Sequence, residues 1–524
     1  MNKTFLGITA GLGLTLQAFC QTASPTKYAE LITPSEAKKH LSILASDAFE
    51  GRETGKAGAK KAAIYLADEF RKIGLTAPVN RTYFQKVPLI EKKIIVNSFI
   101  ANGKAFNYGE KFFFSGEPSS KSIKASEIVF VGYGISSPNY DDLTWINIKD
   151  KVVIVINEGE PYSSGKSLIT KSPEPSEWAT NNGLRIQNLL SKQPATILAV
   201  NTGVESILKE HHKDFTSGKV SLANQVYQGP SAPPVIHITP EVADALLNST
   251  GKNTKNLVSE IETKGVPQSQ IIKTSFKTSF ELKTTNLDAA NVLGFLEGSD
   301  LKDEVLVISA HYDHVGLNED GPDKVFNGAD DDGSGTTAVL QIAKAFSQAK
   351  KDGYGPRRSI LFLGNVAEEK GLLGSLWYSD NPVYPLSKTI TNLNIDMIGR
   401  TDPEHKTDTN YCYLVGSDKL STELHKISEN ANATYTKFKI DYKYNDPNDP
   451  ERIYYRSDHY NFAKHNIPVI FYFNGIHEDY HKPSDEISKI DFNLLTRRAK
   501  LVFYTGWKLA NRDTRPKVDV GLSK

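Results

Sequence analysis

The strongest constraint on the fold lies in the C-terminal half of the chain, where short, mostly apolar runs alternate with helical patterns. Four runs have the length and composition of buried strands: Val305–Ser309, Ser359–Asn365, Asn392–Asp396 and Val469–Phe473. Residues Gly335–Phe346 and Phe492–Leu509 carry the apolar spacing of helices. Strands that alternate with helices along a chain pack into layers, so this region predicts an α/β fold with a three-layer αβα sandwich.

The region between about Asn97 and Gln270 differs in composition and in its pattern of apolar residues. Short β-rich runs, such as Ser126–Tyr133 and Lys151–Ile156, alternate there with loops rich in Ser, Pro, Asn and Gly. This composition indicates a β-rich insertion into the α/β domain.

Two helical patterns precede the insertion. The first begins at Pro34, and the second, Gly58–Ile73, places apolar residues on one face at spacings of three and four. The residues just before Pro34 resemble a short unstructured lead-in. The predicted organisation is a signal peptide at 1–20, a lead-in at 21–33, an α/β domain formed by 34–100 and 275–515, and the insertion at 101–274.

The first twenty residues have the composition of a signal peptide. Lys3 precedes an uncharged run, Phe5–Phe19, of about 15 residues, which is shorter than the roughly 20 that a membrane-spanning helix needs. Small residues flank Phe19, which predicts cleavage before Gln21 and export to the periplasm or the medium. Lipid anchoring at Cys20 is the less favoured alternative, because Phe19 is a poor neighbour for a lipidated cysteine.

The amino-acid composition limits the kinds of partner that the chain is expected to bind. The chain has 62 Lys and Arg residues against 61 Asp and Glu residues, and a net charge of +1 gives no electrostatic reason to expect nucleic acid. After the signal peptide, no apolar run is long enough to cross a membrane. Removal of Cys20 would leave Cys412 as the one cysteine, which excludes an intramolecular disulfide. The sequence leaves the oligomeric state open.

Acidic and imidazole side chains follow the predicted strands. Five segments carry them: His311 with Asp313, Asp330-Asp331-Asp332, Glu368-Glu369, Asp396, and His481. In open α/β sheets, ligands bind beyond the carboxyl ends of the strands, so we expect these side chains to meet. A lone histidine is usually structural and an acidic pair is usually solvated. The prediction of a site therefore depends on the five segments occurring together.

The residue types in these segments point to a metal site. Imidazole nitrogens with carboxylate oxygens, and without thiolates, suit catalytic zinc or a related divalent ion. Three consecutive carboxylates repel one another unless a cation lies among them. A carboxylate shared by two ions would hold them about 3.5–4 Å apart, as in two-metal hydrolases.

The sequence does not match the motifs of other common catalytic and ligand-binding sites. The stretch Asp332–Gly335 lacks the first glycine of a hydrolase nucleophile elbow. The aspartate run lacks the glutamate that closes an EF-hand loop. The sequence contains neither His-Glu-x-x-His nor a phosphate-binding loop.

Six stretches resemble the co-catalytic zinc aminopeptidases of metallopeptidase family twenty-eight, which includes glutamate carboxypeptidases and, more distantly, glutaminyl cyclases. They are AHYDH at 310–314, NGADDDGSG at 327–335, AEEKGLLGS at 367–375, NIDMIG at 394–399, RSDH at 456–459 and YHKPSD at 480–485. The resemblance covers about 285–510 and extends more weakly to LASDAFEGRETG at 44–55. It implies the zinc-exopeptidase fold, with a mixed, mostly parallel central sheet, and two Zn²⁺ ions per chain.

The resemblance assigns the ligands position by position. Asp331 would bridge the two metals, Glu369 and His481 would complete one site, and His311 and Asp396 would complete the other. Relatives often have a cis peptide after the bridging aspartate.

The resemblance also implies roles around the metals. Glu368 would be the general base, and Asp313 would accept a hydrogen bond from His311. A tyrosine that stabilises the oxyanion in some relatives would here be Tyr454, although the adjacent Tyr455 stays open. Residues 129–161 resemble a protease-associated domain.

The implied activity is that of an exported aminopeptidase, which removes single N-terminal residues from peptide substrates with a metal-bridging water as nucleophile. Three alternatives share the fold. A carboxypeptidase or dipeptidase would use the same two-zinc site, and a glutaminyl cyclase commonly works with one zinc. An inactive peptide-binding homologue would have lost ligands, whereas all five positions are filled here.

Overall fold

The structure, a computed structural model, describes residues 24–225, 232–318 and 321–521. The predicted signal peptide at 1–20, with Cys20, lies outside these ranges, so export stays a prediction. The described residues form two compact units: Pro88–Leu287 in one, and the segment that ends at Val87 with the segment that begins at Asp288 in the other.

The larger unit is built on an eight-stranded sheet. Its strands are β1 (Phe84–Lys86), β2 (Ala290–Leu296), β3 (Leu301–His311), β4 (Arg358–Asn365), β5 (Thr389–Ile395), β6 (Tyr411–Val415), β7 (Lys439–Asp441) and β8 (Val469–Phe473). They lie in the order β1-β2-β4-β3-β5-β8-β6-β7. Parallel pairing joins β4-β3-β5-β8 and β6-β7, whereas the other neighbours are antiparallel. The sheet is therefore mixed and mostly parallel, as predicted.

Helices cover both faces of this sheet. They are α1 (Pro25–Ala29), α2 (Pro34–Leu44), α3 (Ala57–Ile73), α4 (Gly333–Lys351), α5 (Leu373–Asp380), α6 (Thr422–Ala431), α7 (His459–Ala463) and α8 (Phe492–Asn511). Helices α4 and α8 pack on each other and on β3 and β4, and α5 and α7 pack together and on β2, β5 and β8. Every residue of β4, β5 and β8 is buried, which requires cover on both faces and confirms the three-layer α/β sandwich. None of the helices in the described ranges is long and apolar enough to span a membrane.

The four strands and the helices that the sequence predicts are all present. The strand Val469–Phe473 has the predicted bounds, whereas β3 starts at Leu301, earlier than the predicted Val305. The added residues include exposed, charged Lys302 and Asp303, which hide the start of the strand from an apolar pattern.

The prediction of an unstructured lead-in was wrong for residues 25–29, which form α1. Pro25 stands in the first turn, where a missing backbone N–H costs nothing. Tyr28 is buried and stacks on Trp507 of α8 with ring centroids 5.8 Å apart. This aromatic contact holds the segment in the larger unit.

The smaller unit contains a nine-stranded sheet. In sheet order its strands are Lys219–Leu222, Leu89–Ala101, Gln270–Leu287, Lys121–Phe130, Val152–Ile156, Thr196–Val200, Val235–Ile238 and Phe112–Phe114, with Lys104–Ala105 paired to Leu89–Ala101. Its helices are Glu177–Thr180, Asn182–Leu190, Val204–Glu210, His212–Thr216, Pro240–Leu247 and Thr254–Lys264. The unit starts before 101 and ends after 274, because two long antiparallel strands begin and end it.

Candidate metal centre

The parallel strands β3, β4 and β5 end at one edge of the sheet and bring four polar side chains together there. His311 is the last residue of β3, Asp396 directly follows β5, and Glu368 and Glu369 lie three and four residues beyond β4. Parallel neighbours present their carboxyl ends at the same edge, so the sheet itself explains why residues far apart in sequence meet.

Asp331 lies at the centre of this group, on the loop before α4. Its Oδ1 is 3.3 Å from His311 Nε2, and its Oδ2 is 3.1 Å from His481 Nε2. The two carboxylate oxygens thus face two different sets of side chains. The peptide bond between Asp331 and Asp332 is cis, as the family resemblance implies.

The first set contains His311, Asp331 and Asp396, whose candidate ligand atoms lie within 4.8 Å of one another. His311 Nε2 is 3.6 Å from Asp396 Oδ1. His311 Nδ1 lies 3.0 Å from the carbonyl oxygen of Asp313. Because a carbonyl only accepts, Nδ1 carries the proton, which leaves Nε2 as the ring atom available to a metal ion.

The second set contains Glu369, His481 and the other oxygen of Asp331. Glu369 Oε2 is 3.0 Å from His481 Nε2. His314, which the sequence analysis missed, also belongs to this set, since its Nδ1 is 2.9 Å from Glu369 Oε1. The ligand atoms of His314, Asp331 and Glu369 lie within 4.8 Å of one another.

These distances fit zinc. Zinc bonds to imidazole nitrogen and carboxylate oxygen are about 2.0–2.2 Å long, so neighbouring ligand atoms of a tetrahedral ion lie about 3.3 Å apart. The nitrogen–oxygen distances within the two sets range from 2.9 to 3.7 Å. Within the described residues, His311 Nε2, Asp331 Oδ2 and Glu369 Oε1 are buried without a hydrogen-bond partner. Such atoms converge where cations would satisfy them.

The adjacent glutamates have opposite acid–base properties. Burial and the charge of Asp331 oppose ionisation of Glu369, yet His314 and His481 hold the pKa of its carboxyl at about 2. Burial raises the pKa of Glu368 well above its usual range, and the nearby carboxylates of Glu369 and Asp396 add to that effect. Neighbouring carboxyls with separated pKa values indicate an anionic ligand beside a proton carrier.

The carboxylates of the three consecutive aspartates have different partners, contrary to the simplest interpretation of their repulsion. Only Asp331 faces the two sets of ligands. Asp332 caps α4 by accepting from Gly335 N at 2.8 Å, and Asp330 accepts from Gly399 N at 2.6 Å. The carboxylate of Asp485 accepts from the backbone N–H groups of Asp330 and Asp331, which fixes the loop.

Asp313 accepts the predicted hydrogen bond from His311, through its backbone carbonyl oxygen. The carboxylate Oδ1 of Asp313 lies 3.8 Å from His311 Nδ1. The carboxylate instead accepts from Thr54 Oγ1 at 2.7 Å and from Glu368 N at 3.2 Å. Asp313 therefore positions both His311 and the backbone of Glu368.

Arg52 connects the N-terminal segment to the loops that carry the ligands. Its guanidinium is buried and donates to the carbonyl oxygens of Leu44, Tyr312, Asn327 and Gly328. These hydrogen bonds hold residues 44–55 against the loops that carry the metal-site motifs. The weak resemblance of that stretch to the family therefore has a structural reason.

We expect Arg52→Met to lower the free energy of unfolding by about 3 kcal/mol or more, because the substitution leaves buried carbonyl oxygens without donors. Denaturant titration of the purified chain measures the change. Arg71→Met is the matched control: Arg71 pairs with Asp68 at an exposed site, so a change within about 0.5 kcal/mol is expected. Equal effects of the two substitutions would contradict the assigned role of Arg52.

A cavity opens beside Asp331, Glu368 and Asp396. Three carboxylates, an arginine, a tyrosine and five apolar side chains line it: Asp331, Glu368, Asp396, Arg456, Tyr480, Met397, Ile453, Phe471, Phe473 and Ile476. One end of the cavity is therefore acidic, and most of its remaining wall is apolar.

The predicted oxyanion donor Tyr454 is not one of the lining residues. It is buried in the core, where its ring contacts those of Tyr455, His459 and Tyr460. Tyr480 lines the cavity instead and stacks on His481 with ring centroids 3.9 Å apart. Tyr480 and Arg456 are thus cavity residues that the sequence analysis did not assign.

Part of the chain is similar in sequence to known peptidases. Residues 291–506 match the sequence model of the family described as Peptidase family M28. The chain is 32% identical over 117 residues to aminopeptidase YwaD of Bacillus subtilis (strain 168), covering 22% of this chain and 23% of that protein. It is 33% identical over 107 residues to a probable glutamate carboxypeptidase of Arabidopsis thaliana, covering 20% of this chain and 14% of that protein. The chain thus matches less than a quarter of the length of either relative.

The fold has a solved counterpart. An aminopeptidase from Aneurinibacillus sp. strain AM-1 aligns over 95% of this chain and 98% of its own, with 16% identity and a TM-score of 0.52. At that identity the likeness concerns the fold alone. The region matched by the family model runs from β2 into α8 and contains both sets of ligands, from His311 to His481. Residues 291–506 are therefore similar in sequence to peptidase family M28.

Proposed function

We propose that the chain is a two-zinc aminopeptidase that hydrolyses the N-terminal bond of peptides. The observation that carries the proposal is the position of Asp331, whose two oxygens lie 3.3 Å from His311 Nε2 and 3.1 Å from His481 Nε2. One carboxylate between two sets of nitrogen and oxygen ligands is the arrangement of two-metal hydrolases.

Glu368 supplies the acid–base chemistry. When bound, two zinc ions polarise the scissile carbonyl and acidify a water molecule. Glu368 lines the cavity without belonging to either set, and its Oε2 lies 3.9 Å from His311 Nε2. Its carboxylate accepts the water proton and then delivers it to the leaving amine.

The cavity favours a free amine and an apolar first residue. Carboxylates of Asp331, Glu368 and Asp396 provide negative charge for an ammonium group at one end. The apolar wall, which includes Phe471 and Phe473, would bury an aliphatic or aromatic side chain beside it. Short peptides with such N-terminal residues are the proposed substrates.

Tyr480 is the proposed donor to the oxyanion. Burial, together with the nearby ligand carboxylates, raises the pKa of its phenol well above the usual range, so the hydroxyl stays protonated. We expect Tyr480→Phe to lower kcat/KM by about 100-fold. Tyr454→Phe is the control and should stay within about twofold. A larger loss in Tyr454→Phe would return the role to the residue predicted from sequence.

A carboxypeptidase or dipeptidase activity is the second candidate, and Arg456 favours it. This exposed guanidinium lines the cavity, with Nη2 3.5 Å from Tyr480 Oη. An arginine in a substrate cavity binds a C-terminal carboxylate well.

The two candidates separate on substrates with blocked ends. We would compare aminoacyl anilides of Leu, Phe, Ala and Glu with the same compounds acetylated at the amine, before and after chelation. Cleavage of the free-amine substrates alone, fastest for Leu or Phe and lost with the chelator, supports the aminopeptidase. Cleavage of acetylated dipeptides would establish the second candidate instead.

The proposal also assigns roles to residues 1–20 and to the smaller unit. We propose that residues 1–20 direct export, on the composition of that stretch, and that the smaller unit is a protease-associated domain, on the resemblance of residues 129–161. Mass measurement of the mature chain tests the first, with Gln21 expected at the N-terminus.

A further inference from the structure

We infer that His314 is a sixth protein ligand, which gives one of the two metal sites four protein ligands and the other three. The inference rests on the proposed two-zinc site and adds a residue to it. It follows from the burial, orientation and surroundings of one side chain.

His314 is fully buried beside the candidate ligands Asp331 and Glu369. Its exposed fraction is 0%, and within the described residues neither ring nitrogen makes a hydrogen bond. An unpartnered imidazole in a protein interior loses the free energy of its hydrogen bonds to water. A metal ion bound at Nδ1 would compensate for that loss.

The ring is aimed at the second set of ligands. His314 Nδ1 lies 2.9 Å from Glu369 Oε1 and 3.7 Å from Asp331 Oδ2. Both oxygens are themselves buried without a hydrogen-bond partner in the part of the chain that the structure describes. One nitrogen and two oxygens that converge in this way can serve as ligands of one cation.

Backbone contacts fix the ring in this orientation. The His314 N–H donates to Arg52 O at 3.1 Å, and the residue forms a β-bridge with Glu53. On the other side the ring lies against Gly328, where an added Cβ would be 2.5 Å from His314 Cδ2. The loop has a glycine where the imidazole needs the space.

The second set would then hold its ion with His314, Asp331, Glu369 and His481. The first set offers His311, Asp331 and Asp396. One additional imidazole predicts that the ion beside Glu369 binds more tightly and is the last to leave in a chelator.

The test measures zinc binding on the full mature chain. Zinc is titrated against a competing chelator into the metal-free protein and into His314→Gln. We expect the tighter of the two dissociation constants to rise by about 100-fold or more, and the weaker to change by less than about threefold.

His459→Gln is the matched control. His459 is also fully buried with both ring nitrogens unpartnered within the described ranges, but it packs against aromatic rings such as Phe471. Its substitution should leave both constants unchanged. Equal shifts in the two variants would overturn the inference, because they would reflect general loosening of the core.

Anomalous diffraction at the zinc edge separates direct ligation from support. A zinc peak about 2.1 Å from His314 Nδ1 confirms the inference. Two zinc peaks at the other five ligands, with neither bonded to His314, would overturn it and leave the proposed function intact. Absence of zinc from the whole site would remove the proposed function as well.

Discussion

Glu368→Gln is expected to lower kcat by about 1,000-fold or more while both zinc ions stay bound. Glutamine keeps the size of the side chain but cannot accept the proton of the attacking water or pass it to the leaving amine. Because Glu368 belongs to neither set of candidate ligands, its neutralisation should not release metal. Steady-state kinetics and elemental analysis of the same preparation measure the two quantities.

Glu369→Gln is the matched control, since the change is made one residue further along the same loop. The carboxylate of Glu369 lies 3.0 Å from His481 Nε2, so this variant should lose both activity and zinc. Release of zinc from Glu368→Gln would instead show that Glu368 is a ligand and that the two roles are interchanged.

Asp331→Ala is expected to remove both zinc ions and to abolish activity. No other carboxylate within the described ranges has one oxygen close to His311 and the other close to His481. Removal of a shared ligand weakens both sites at once, and leaves several negative charges facing one another. Elemental analysis after gel filtration should find less than about 0.2 zinc per chain.

Asp396→Ala provides the comparison for that loss. Asp396 faces His311 alone among the imidazoles, at 3.6 Å, so its removal should empty one site and leave about one zinc per chain. If Asp331→Ala also kept one zinc, the carboxylate would serve a single ion and the bridging arrangement would be wrong.

Much of the fold was predictable because its central strands are short and buried on both faces. Such strands are continuous apolar runs, and Val469–Phe473 has the bounds that its composition predicts. The start of β3 was missed because charged residues occupy its exposed end. The helix Pro25–Ala29 was missed because its stability comes from a contact between Tyr28 and Trp507, which are far apart in sequence.

The ligand positions were predictable for a related reason. Residues that follow parallel strands meet at one edge of the sheet, so His311, Glu369 and Asp396 could be placed together from sequence order. The different roles of the three consecutive aspartates were not predictable from the sequence. It depends on Asp485, whose carboxylate binds two backbone N–H groups of that run.

Two residues of the site, His314 and Tyr480, were not identified from their sequence context. His314 is the last residue of the motif AHYDH, where its position suggests no more than a residue flanking the ligand His311. Only its burial against Gly328 shows where the ring points. Tyr480 directly precedes the predicted ligand His481, a signal that could have been weighed against Tyr454. That signal does not by itself show which of the two tyrosine rings faces the cavity.

The most direct test of the two-zinc site is a titration of the metal-free full chain with zinc, followed by bound zinc and by hydrolysis of leucyl anilide in the same samples. A two-zinc site predicts saturation at two zinc ions per chain, with full activity reached only at the second equivalent. Saturation and full activity at one equivalent would contradict it, and would favour a single-zinc enzyme such as a glutaminyl cyclase on this fold.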